Sequence, residues 1–169
     1  CGLPIVELVA RAVRGAGADR SIFVVGHGGE LIVDRMGGGY EYAWQREQLG
    51  TGHAVQMAAD PLKSAFGIVL ITPGDTPLLT AESLRALVEH HEAEGASCTV
   101  ASIELADPTG YGRVLRNKDG SVARIVEHKD ATDAERAVKE VAVSVYCFSA
   151  KALTDYLPRL SNQNAQKEY

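Results

Sequence analysis

The sequence predicts an α/β fold in a single domain, residues 1–169, with a mostly parallel sheet covered by helices on both faces. Two continuous apolar runs, residues 21–25 and 67–71, are typical of buried strands. Amphipathic stretches with a helical period separate such runs, and glycine or proline marks most boundaries. A chain of 169 residues is long enough to bury a core of its own.

The first half of the chain alternates helical and extended patterns. A helix begins at Pro4, which suits the first helical turn, and it ends at Gly15 and Gly17. One face of this helix is apolar through Ile5, Val9, Ala12 and Val13. After the strand at 21–25, the pattern predicts a turn and short helix at 26–39, a strand at 40–45, a helix at 52–60 and a second apolar strand at 67–71.

The second half adds a helix, an antiparallel hairpin and a long strand. Thr80 is a suitable N-cap for a helix that carries Leu84, Leu87 and Val88 at helical spacing. An Asn-Lys-Asp-Gly turn at 117–120 predicts a hairpin of residues 113–116 and 122–126, inserted into the parallel plan. Further elements are predicted as strands at 98–103 and 141–148 and a short helix at 151–157.

Composition argues against several classes of function. A formal net charge of −5 without a basic run disfavours a nucleic-acid partner, and the apolar runs are too short for a membrane span. The three cysteines show neither metal-ligand spacing nor a disulfide framework, and we expect Cys98 and Cys147 to be small core residues. These features favour a reducing, cytoplasmic compartment.

The stretch from Gln45 to Ala54 carries the strongest chemical signal. Its Gly50-Thr51-Gly52 turn precedes a predicted helix, where free backbone N–H groups and the helix dipole favour an anion. The glutamine amides just before the turn each offer a donor and an acceptor to the edge of a base. This combination is typical of a nucleotide pocket, although an isolated Gly-Thr-Gly also fits a plain turn with a helix cap.

Asp75 comes shortly after the apolar strand at 67–71, in a Pro-Gly-Asp-Thr-Pro turn. Mg²⁺ prefers oxygen ligands and often takes only one or two carboxylates beside phosphates and water. Ligands of α/β sheets bind beyond the carboxyl ends of strands, where Gln45, Asp75 and Glu127 would all lie. The residues alone leave a second interpretation of Asp75 open, which is a turn-capping aspartate.

Several stretches together resemble the uridylyltransferase domain of the bacterial GlmU family. They are Gln-Leu-Gly-Thr-Gly-His-Ala at 48–54, Thr-Pro-Gly-Asp at 72–75, Gly-Tyr-Gly-Arg at 110–113, Val-Glu-His-Lys-Asp at 126–130 and Leu-Ser-Asn-Gln-Asn-Ala-Gln at 160–166. Members of that family are bifunctional UDP-N-acetylglucosamine pyrophosphorylases and glucosamine-1-phosphate acetyltransferases. The resemblance implies a Rossmann-like fold of the nucleotide-diphospho-sugar transferase type. It also implies an enzyme that converts UTP and N-acetylglucosamine 1-phosphate into UDP-N-acetylglucosamine and pyrophosphate. UDP-N-acetylglucosamine is then used for cell-wall synthesis.

The resemblance also assigns roles to individual residues. Asp75 matches the catalytic metal ligand for Mg²⁺, and nucleotide contacts fall on Gln45, Gly50 and Thr51. The resemblance assigns contacts with the sugar to Gly112 and Glu127. The carboxylate of Glu127 suits this role, since carboxylates bind sugar hydroxyls well. We expect His53 and His128 to hold local partners rather than to act in catalysis.

Two positions depart from the family pattern. Pro73 stands where the family has Tyr in Tyr-Gly-Asp, and Ala142-Val143-Ser144 stands where it has Asn-Thr-Gly. Ala142 has no side-chain hydrogen bond to offer a sugar. The departures keep two alternatives open. The protein could be a nucleotidyltransferase for a different sugar or a different nucleotide, or it could be a domain that binds nucleotide sugars without catalysis.

The family pattern extends beyond both ends of this sequence. The resemblance implies an internal fragment, with a Gly-rich loop and its Arg and Lys before Cys1 and an Asn metal ligand after Tyr169. We therefore expect the isolated chain not to catalyse at a useful rate, because its triphosphate cradle is incomplete. The parent protein is expected to form a homotrimer through a C-terminal domain.

Overall fold

The computed structural model describes residues 2–169, which form seven helices and seven strands. The helices are α1 (Ile5–Gly15), α2 (Gly29–Met36), α3 (Thr51–Met57), α4 (Ala59–Leu62), α5 (Ala81–Glu94), α6 (Asp133–Arg136) and α7 (Ala150–Tyr156). The strands are β1 (Ile22–Val25), β2 (Glu41–Trp44), β3 (Ile68–Ile71), β4 (Cys98–Glu104), β5 (Arg113–Arg116), β6 (Val122–Val126) and β7 (Glu140–Ser149). Short 3₁₀ turns follow α2 and α7 at Gly37–Gly39 and Leu157–Arg159.

The strands form two sheets. β1 and β2 pair in parallel, with Val25 opposite Trp44. The larger sheet is built around β7, which pairs antiparallel with β3, β4 and β5, while β6 pairs antiparallel with β5 as the predicted hairpin. The α/β class is confirmed, but among residues 2–169 parallel pairing is confined to β1 and β2, where mostly parallel pairing was expected.

The path of the chain after β4 explains this difference. β3 and β4 lie on opposite edges of β7 and run in the same direction, joined through α5 as in a parallel sheet. From β4 onwards the regular alternation of strands with long helices stops. Only the hairpin and the four-residue α6 come before β7, which returns through the sheet in the opposite direction.

Side-chain caps start three of the helices, and Ser149 caps α7 by accepting a hydrogen bond of 3.3 Å from the backbone N–H of Ala152. Thr80 is the N-cap of α5, as predicted, and its Oγ1 accepts a hydrogen bond of 3.2 Å from the backbone N–H of Ser83. Helix α6 was not predicted, yet Thr132 and Glu135 form a capping box around its first turn. The sequence Thr-Asp-Ala-Glu carries that signal, so this helix start could have been predicted.

The helices are short, and the longest, α5, has 14 residues. The helix predicted at 52–60 is divided into α3 and α4 at Ala58. Pro61 lies inside α4 and has no N–H, so an uninterrupted helix through this region would lose a backbone hydrogen bond. None of the helices in the described part of the chain is long and apolar enough to cross a membrane.

Helices cover both faces of the larger sheet, as predicted. On one face, the apolar cluster contains Ala43, Ala58, Leu62, Leu153 and Leu157, with Val69, Ile71 and Phe148 packed against it. On the other face, a second cluster joins α1 and α5 to the sheet through Ala12, Leu84 and Val145. Cys147 is fully buried, whereas Cys98 begins the edge strand β4 and is exposed, so its predicted core position is wrong.

A bulge in β7 lies between Ala142 and Tyr146. Tyr146 lies opposite Val100 of β4 and Ala142 lies opposite Ser102, so three residues of β7 face one residue of β4. Within the bulge, Ser144 has a positive φ of 58°. Because Val100 and Ser102 are two positions apart, Ala142 and Tyr146 lie on the same face.

Candidate active site

A cavity of about 240 Å³ opens where β1 and β2 end. It is lined by Gly26 and His27, which follow β1, and by Gln45, Arg46 and Gln48, which follow β2. A cavity of about 300 Å³ lies at the opposite, amino-terminal ends of the same two strands, beside Ser21 and Glu41. Since α/β sheets bind ligands beyond the carboxyl ends of their strands, we regard the smaller cavity as part of the site.

Gln45 is held against the Gly50 turn. Its Nε2 donates to the carbonyl of Gly50 at 3.0 Å and lies 3.1 Å from Nδ1 of His53. Gly50 is the N-cap of α3 at a φ of 99°, a conformation that side chains rarely adopt, and Thr51 is the first residue of the helix. The structure therefore gathers all three predicted nucleotide contacts, and His53 has the local partner expected for it.

Gln48 is a further polar group at this cavity. Its amide nitrogen lies 2.9 Å from the position that a Cβ on Gly26 would occupy, and it donates to the carbonyl of Gln45 at 3.3 Å. Any side chain at position 26 would therefore collide with this amide. The sequence indicated both glutamines as a pair, but only Gln45 was assigned a nucleotide contact, and the cavity now includes Gln48 as well.

The predicted sugar contacts share one face of the larger sheet. Arg113 lies opposite both Val126 of β6 and Val141 of β7. Because side chains alternate along a strand, the neighbours of these three residues point to the other face. Those neighbours are Gly112, Glu127 and Ala142.

Direct contacts agree with this register. Oε1 of Glu127 lies 3.1 Å from the position that a Cβ on Gly112 would occupy. The backbone N–H of Ala142 donates to the carbonyl of Gly112 at 3.0 Å. The structure thus brings Gly112 and Glu127 together. Ala142, which stands where the family has asparagine, lies beside them.

Tyr146 lies on the same face and was not identified from the sequence. It is opposite Ile71, the last residue of β3, and its ring centroid lies 6.0 Å from that of Phe148. Burial raises the pKa of Tyr146, and the carboxylate of Glu127 raises it further. The phenol is therefore neutral at physiological pH and available as a hydrogen-bond donor beside Glu127.

Arg113 supports this face from behind. The side chain is buried, and its guanidinium donates to the carbonyls of Tyr111 and Arg136 and to Nδ1 of His128 at 3.2 Å. It thereby joins the turn before Gly112 to the loop after Glu127. His128 again has a local partner, as the sequence analysis expected.

Asp75 lies in the turn that follows β3. Its carboxylate is exposed, and the turn is closed by Thr76, whose Oγ1 donates to the carbonyl of Pro73 at 3.1 Å. The turn packs on α1, where Cγ2 of Val6 lies 3.6 Å from the Cβ position of Gly74. Among residues 2–169, no hydrogen bond joins this turn to Gln45 or to Glu127.

The donor chemistry around Asp75 fits a hard cation with few protein ligands. Residues 2–169 contain no group of three or more histidine, cysteine, aspartate or glutamate side chains that could hold a metal ion. Mg²⁺ commonly takes one or two carboxylates and completes its shell with phosphate and water. Asp75 offers such a carboxylate.

Comparison with known proteins identifies a family. The family described as "Nucleotidyl transferase" matches residues 2–168. The protein named bifunctional protein GlmU is 47% identical over 169 residues in Geobacillus thermodenitrificans, 48% over 169 in Bacillus cytotoxicus and 51% over 168 in an Exiguobacterium species. These alignments cover 99–100% of this chain but only 37% of each relative, so the chain spans little more than a third of their length.

Proposed function

The chain belongs to the nucleotidyl transferase family, and from this premise we propose that it carries the core of a sugar-1-phosphate uridylyltransferase. The reaction joins UTP and N-acetylglucosamine 1-phosphate to give UDP-N-acetylglucosamine and pyrophosphate. An oxygen of the sugar phosphate attacks the α-phosphorus of UTP, the bond to the bridging oxygen breaks, and pyrophosphate leaves. The protein contributes mainly by positioning both substrates and by neutralising charge.

The nucleotide end of the substrate is assigned to the cavity beyond β1 and β2. Uracil presents two carbonyl acceptors and one N–H donor, and the amides of Gln45 and Gln48 offer both kinds of partner. The backbone of Gly50 and the hydroxyl of Thr51 lie at the start of α3, next to Gln45. The contact between Gln45 and His53 holds the amide in place.

The sugar end is assigned to the face formed by Gly112, Glu127 and Tyr146. The Glu127 carboxylate accepts hydrogen bonds from sugar hydroxyls, and the backbone of Gly112 leaves space for the ring to approach. Ala142 adds only a methyl group beside them. This observation supports a second candidate, which is the same reaction with a different sugar 1-phosphate.

Asp75 is proposed to bind Mg²⁺ together with substrate phosphates. The ion supplies positive charge that offsets the charge on the phosphates as they react. Asp75 needs to remain exposed and ionised for this role, and its turn is held by Thr76 independently of the ion.

The observation that carries the proposal is the cluster of Gln45, Gly50 and Thr51 at the carboxyl ends of parallel strands. Trp44, the one tryptophan of the chain, directly precedes Gln45, so its fluorescence reports on this cavity. We expect UTP to change this fluorescence at concentrations at least about tenfold lower than CTP or ATP, the discrimination expected from one good hydrogen-bonded pair.

Two variants complete this experiment. Gln45→Ala should remove the preference for UTP, whereas Glu89→Ala, which changes an exposed residue of α5 outside the cavity, should keep it. Equal responses to UTP, CTP and ATP in the unmodified chain would reject a uridine site. A panel of UDP-sugars then separates the two candidate sugars, since a UDP-sugar that binds more tightly than UDP-N-acetylglucosamine would favour the second candidate.

A further inference from the structure

The last ten residues, which we call the terminal strap (160–169), follow the 3₁₀ turn Leu157–Arg159 and run across the candidate site. The strap is exposed along most of its length, yet it makes hydrogen bonds to two separate loops. One is the nucleotide loop (49–53), and the other is the acidic loop (127–130). None of the roles assigned above uses these contacts.

At the acidic loop, the carboxylate of Asp130 anchors the strap. Its Oδ1 accepts a hydrogen bond of 3.0 Å from the backbone N–H of Ala165. Beside it, Nζ of Lys129 donates to Oε1 of Gln166 at 3.1 Å. The loop itself turns back through Asp130, whose backbone N–H donates to the carbonyl of Glu127 at 3.0 Å. Asp130 is therefore linked to the strap by its side chain and to the backbone carbonyl of Glu127 by its own N–H.

At the nucleotide loop, the end of the strap lies against the backbone. The N–H of Tyr169 donates to the carbonyl of Leu49 at 2.8 Å, and the N–H of Gly52 donates to the carbonyl of Tyr169 at 2.9 Å. A Cβ at Gly50 would lie 2.7 Å from the Tyr169 oxygen, and one at Gly52 would lie 2.6 Å from its carbonyl carbon. The approach is therefore possible only because these two positions are glycine.

The part of the strap between the two anchors is stiffened by Asn164. Its Oδ1 accepts hydrogen bonds from the N–H groups of Gln166 at 3.2 Å and Glu168 at 3.1 Å, and its Nδ2 donates to the carbonyl of Glu168 at 2.5 Å. Only a few residues separate the Asp130 anchor from Tyr169. A short segment with this many internal hydrogen bonds transmits a displacement from one end to the other rather than absorbing it.

We propose that Asp130 is a positioning residue, which acts through the terminal strap to hold the acidic loop and the nucleotide loop at a fixed separation. The functional part of this inference depends on the proposed function, because the two loops then bind the sugar and the uridine of one molecule. Affinity for the whole molecule exceeds affinity for its parts only while both ends meet their contacts together. Asp130 contributes to that match without touching the substrate.

The structural part can be tested without a ligand, by amide hydrogen exchange in the 169-residue chain followed by NMR. In Asp130→Ala we expect the Gly52 and Tyr169 amides to exchange about tenfold faster, the effect of losing one charge-assisted hydrogen bond, while amides of β7 keep their rates. Asp130→Asn retains an oxygen acceptor without the charge, so its exchange rates should fall between those of Asp130→Ala and the unmodified chain. Asp133→Ala, which removes a fully exposed carboxylate nearby, serves as the control.

Unchanged exchange at Gly52 in Asp130→Ala would overturn the proposed link between the loops. Exchange in Asp130→Asn as fast as in Asp130→Ala would also overturn it, because the acceptor oxygen would then not be the group that matters. Faster exchange throughout β7 would show that Asp130 supports the fold as a whole and not the strap.

The functional part compares UDP with UDP-N-acetylglucosamine by Trp44 fluorescence. We expect Asp130→Ala to change the dissociation constant of UDP by no more than about twofold. The dissociation constant of UDP-N-acetylglucosamine should rise by about fivefold or more, because only this ligand needs matched geometry at the sugar end. Equal weakening of both ligands would reject a positioning role. If the unmodified chain binds neither ligand, the proposed function fails, while the exchange experiment still decides whether Asp130 couples the loops.

Discussion

Arg113 offers a sharp test of how the sugar face is supported, because it is a fully buried guanidinium whose contacts are carbonyls and an imidazole nitrogen. Only 1% of the residue is exposed. The seven ion pairs of residues 2–169 do not include it. Its hydrogen bonds reach Tyr111, His128 and Arg136, which come from three different segments. Truncation therefore removes the connection between these segments.

The expected cost follows from the groups left behind. Arg113→Ala leaves two partly buried carbonyls without this donor, at up to about 1–3 kcal/mol each, and it also creates a cavity behind Gly112. We expect a loss of about 3–5 kcal/mol in the free energy of unfolding, a large part of the stability of an ordinary domain. Arg113→Lys keeps the charge but reaches fewer acceptors, and we expect it to cost about 2 kcal/mol.

Urea denaturation followed by circular dichroism and by Trp44 fluorescence measures these differences. Arg11→Ala is the matched control, because Arg11 is an exposed helical arginine whose side chain is 60% exposed in its ion pair with Glu7. That control should change the free energy of unfolding by less than about 0.5 kcal/mol. If Arg113→Ala costs as little as Arg11→Ala, the reasoning about the buried guanidinium is refuted.

Three further predictions concern β7. The Arg116 guanidinium lowers the pKa of Glu140 below its ordinary value of 4.5. The ionised carboxylate therefore stabilises the fold at neutral pH, and this contribution is lost as the pH falls below about 4.5. The free energy of unfolding of Glu140→Gln should be about 1–2 kcal/mol lower than that of the unmodified chain at pH 7, and the difference should shrink towards pH 3. Ser144 has a positive φ, so in thermal denaturation Ser144→Gly should stabilise by up to about 1 kcal/mol and Ser144→Val should destabilise by about 1–2 kcal/mol. Burial raises the pKa of Cys147 to about 11, so at pH 8 iodoacetamide should label it only after unfolding, as peptide mass mapping would show.

Each of these predictions has a contrary result. A stability difference between Glu140 and its Gln variant that stays constant from pH 7 to about pH 3 would show that the ion pair with Arg116 is not its source. Ser144→Val at least as stable as Ser144→Gly would contradict a left-handed backbone in the bulge. Labelling of Cys147 as fast as that of the exposed Cys98 would contradict its burial.

Local patterns in the sequence predicted most helices and strands, because those elements depend on neighbours a few positions away. Thr80 at the start of α5 and the Asp-Gly turn of the hairpin are signals of this kind. The direction of β7 depends instead on partners far along the chain. Its antiparallel pairing with β3 and β4 leaves no trace in periodicity, since parallel and antiparallel strands can both be apolar.

The candidate site shows the same division between local and distant information. Gln45 and Gly50 lie five positions apart, and their contact follows a motif that is visible in the sequence. Arg113 looks like an ordinary strand arginine until His128 and Arg136 are placed around it. Tyr146 shares a face with Glu127 because β7 pairs with β5, a partner far along the chain. No local signal marks such residues.

We propose that the nucleotide loop and the sugar face form one site for one molecule, and a two-dimensional ¹H–¹⁵N titration of the chain with UDP-N-acetylglucosamine tests this most directly. We expect the amides of Gly50 and Thr51 to shift together with those of Gly112 and Glu127, with a single dissociation constant. UDP alone should shift only the first pair. Shifts confined to residues around Ser21 and Glu41, at the opposite ends of β1 and β2, would contradict the assignment of the site.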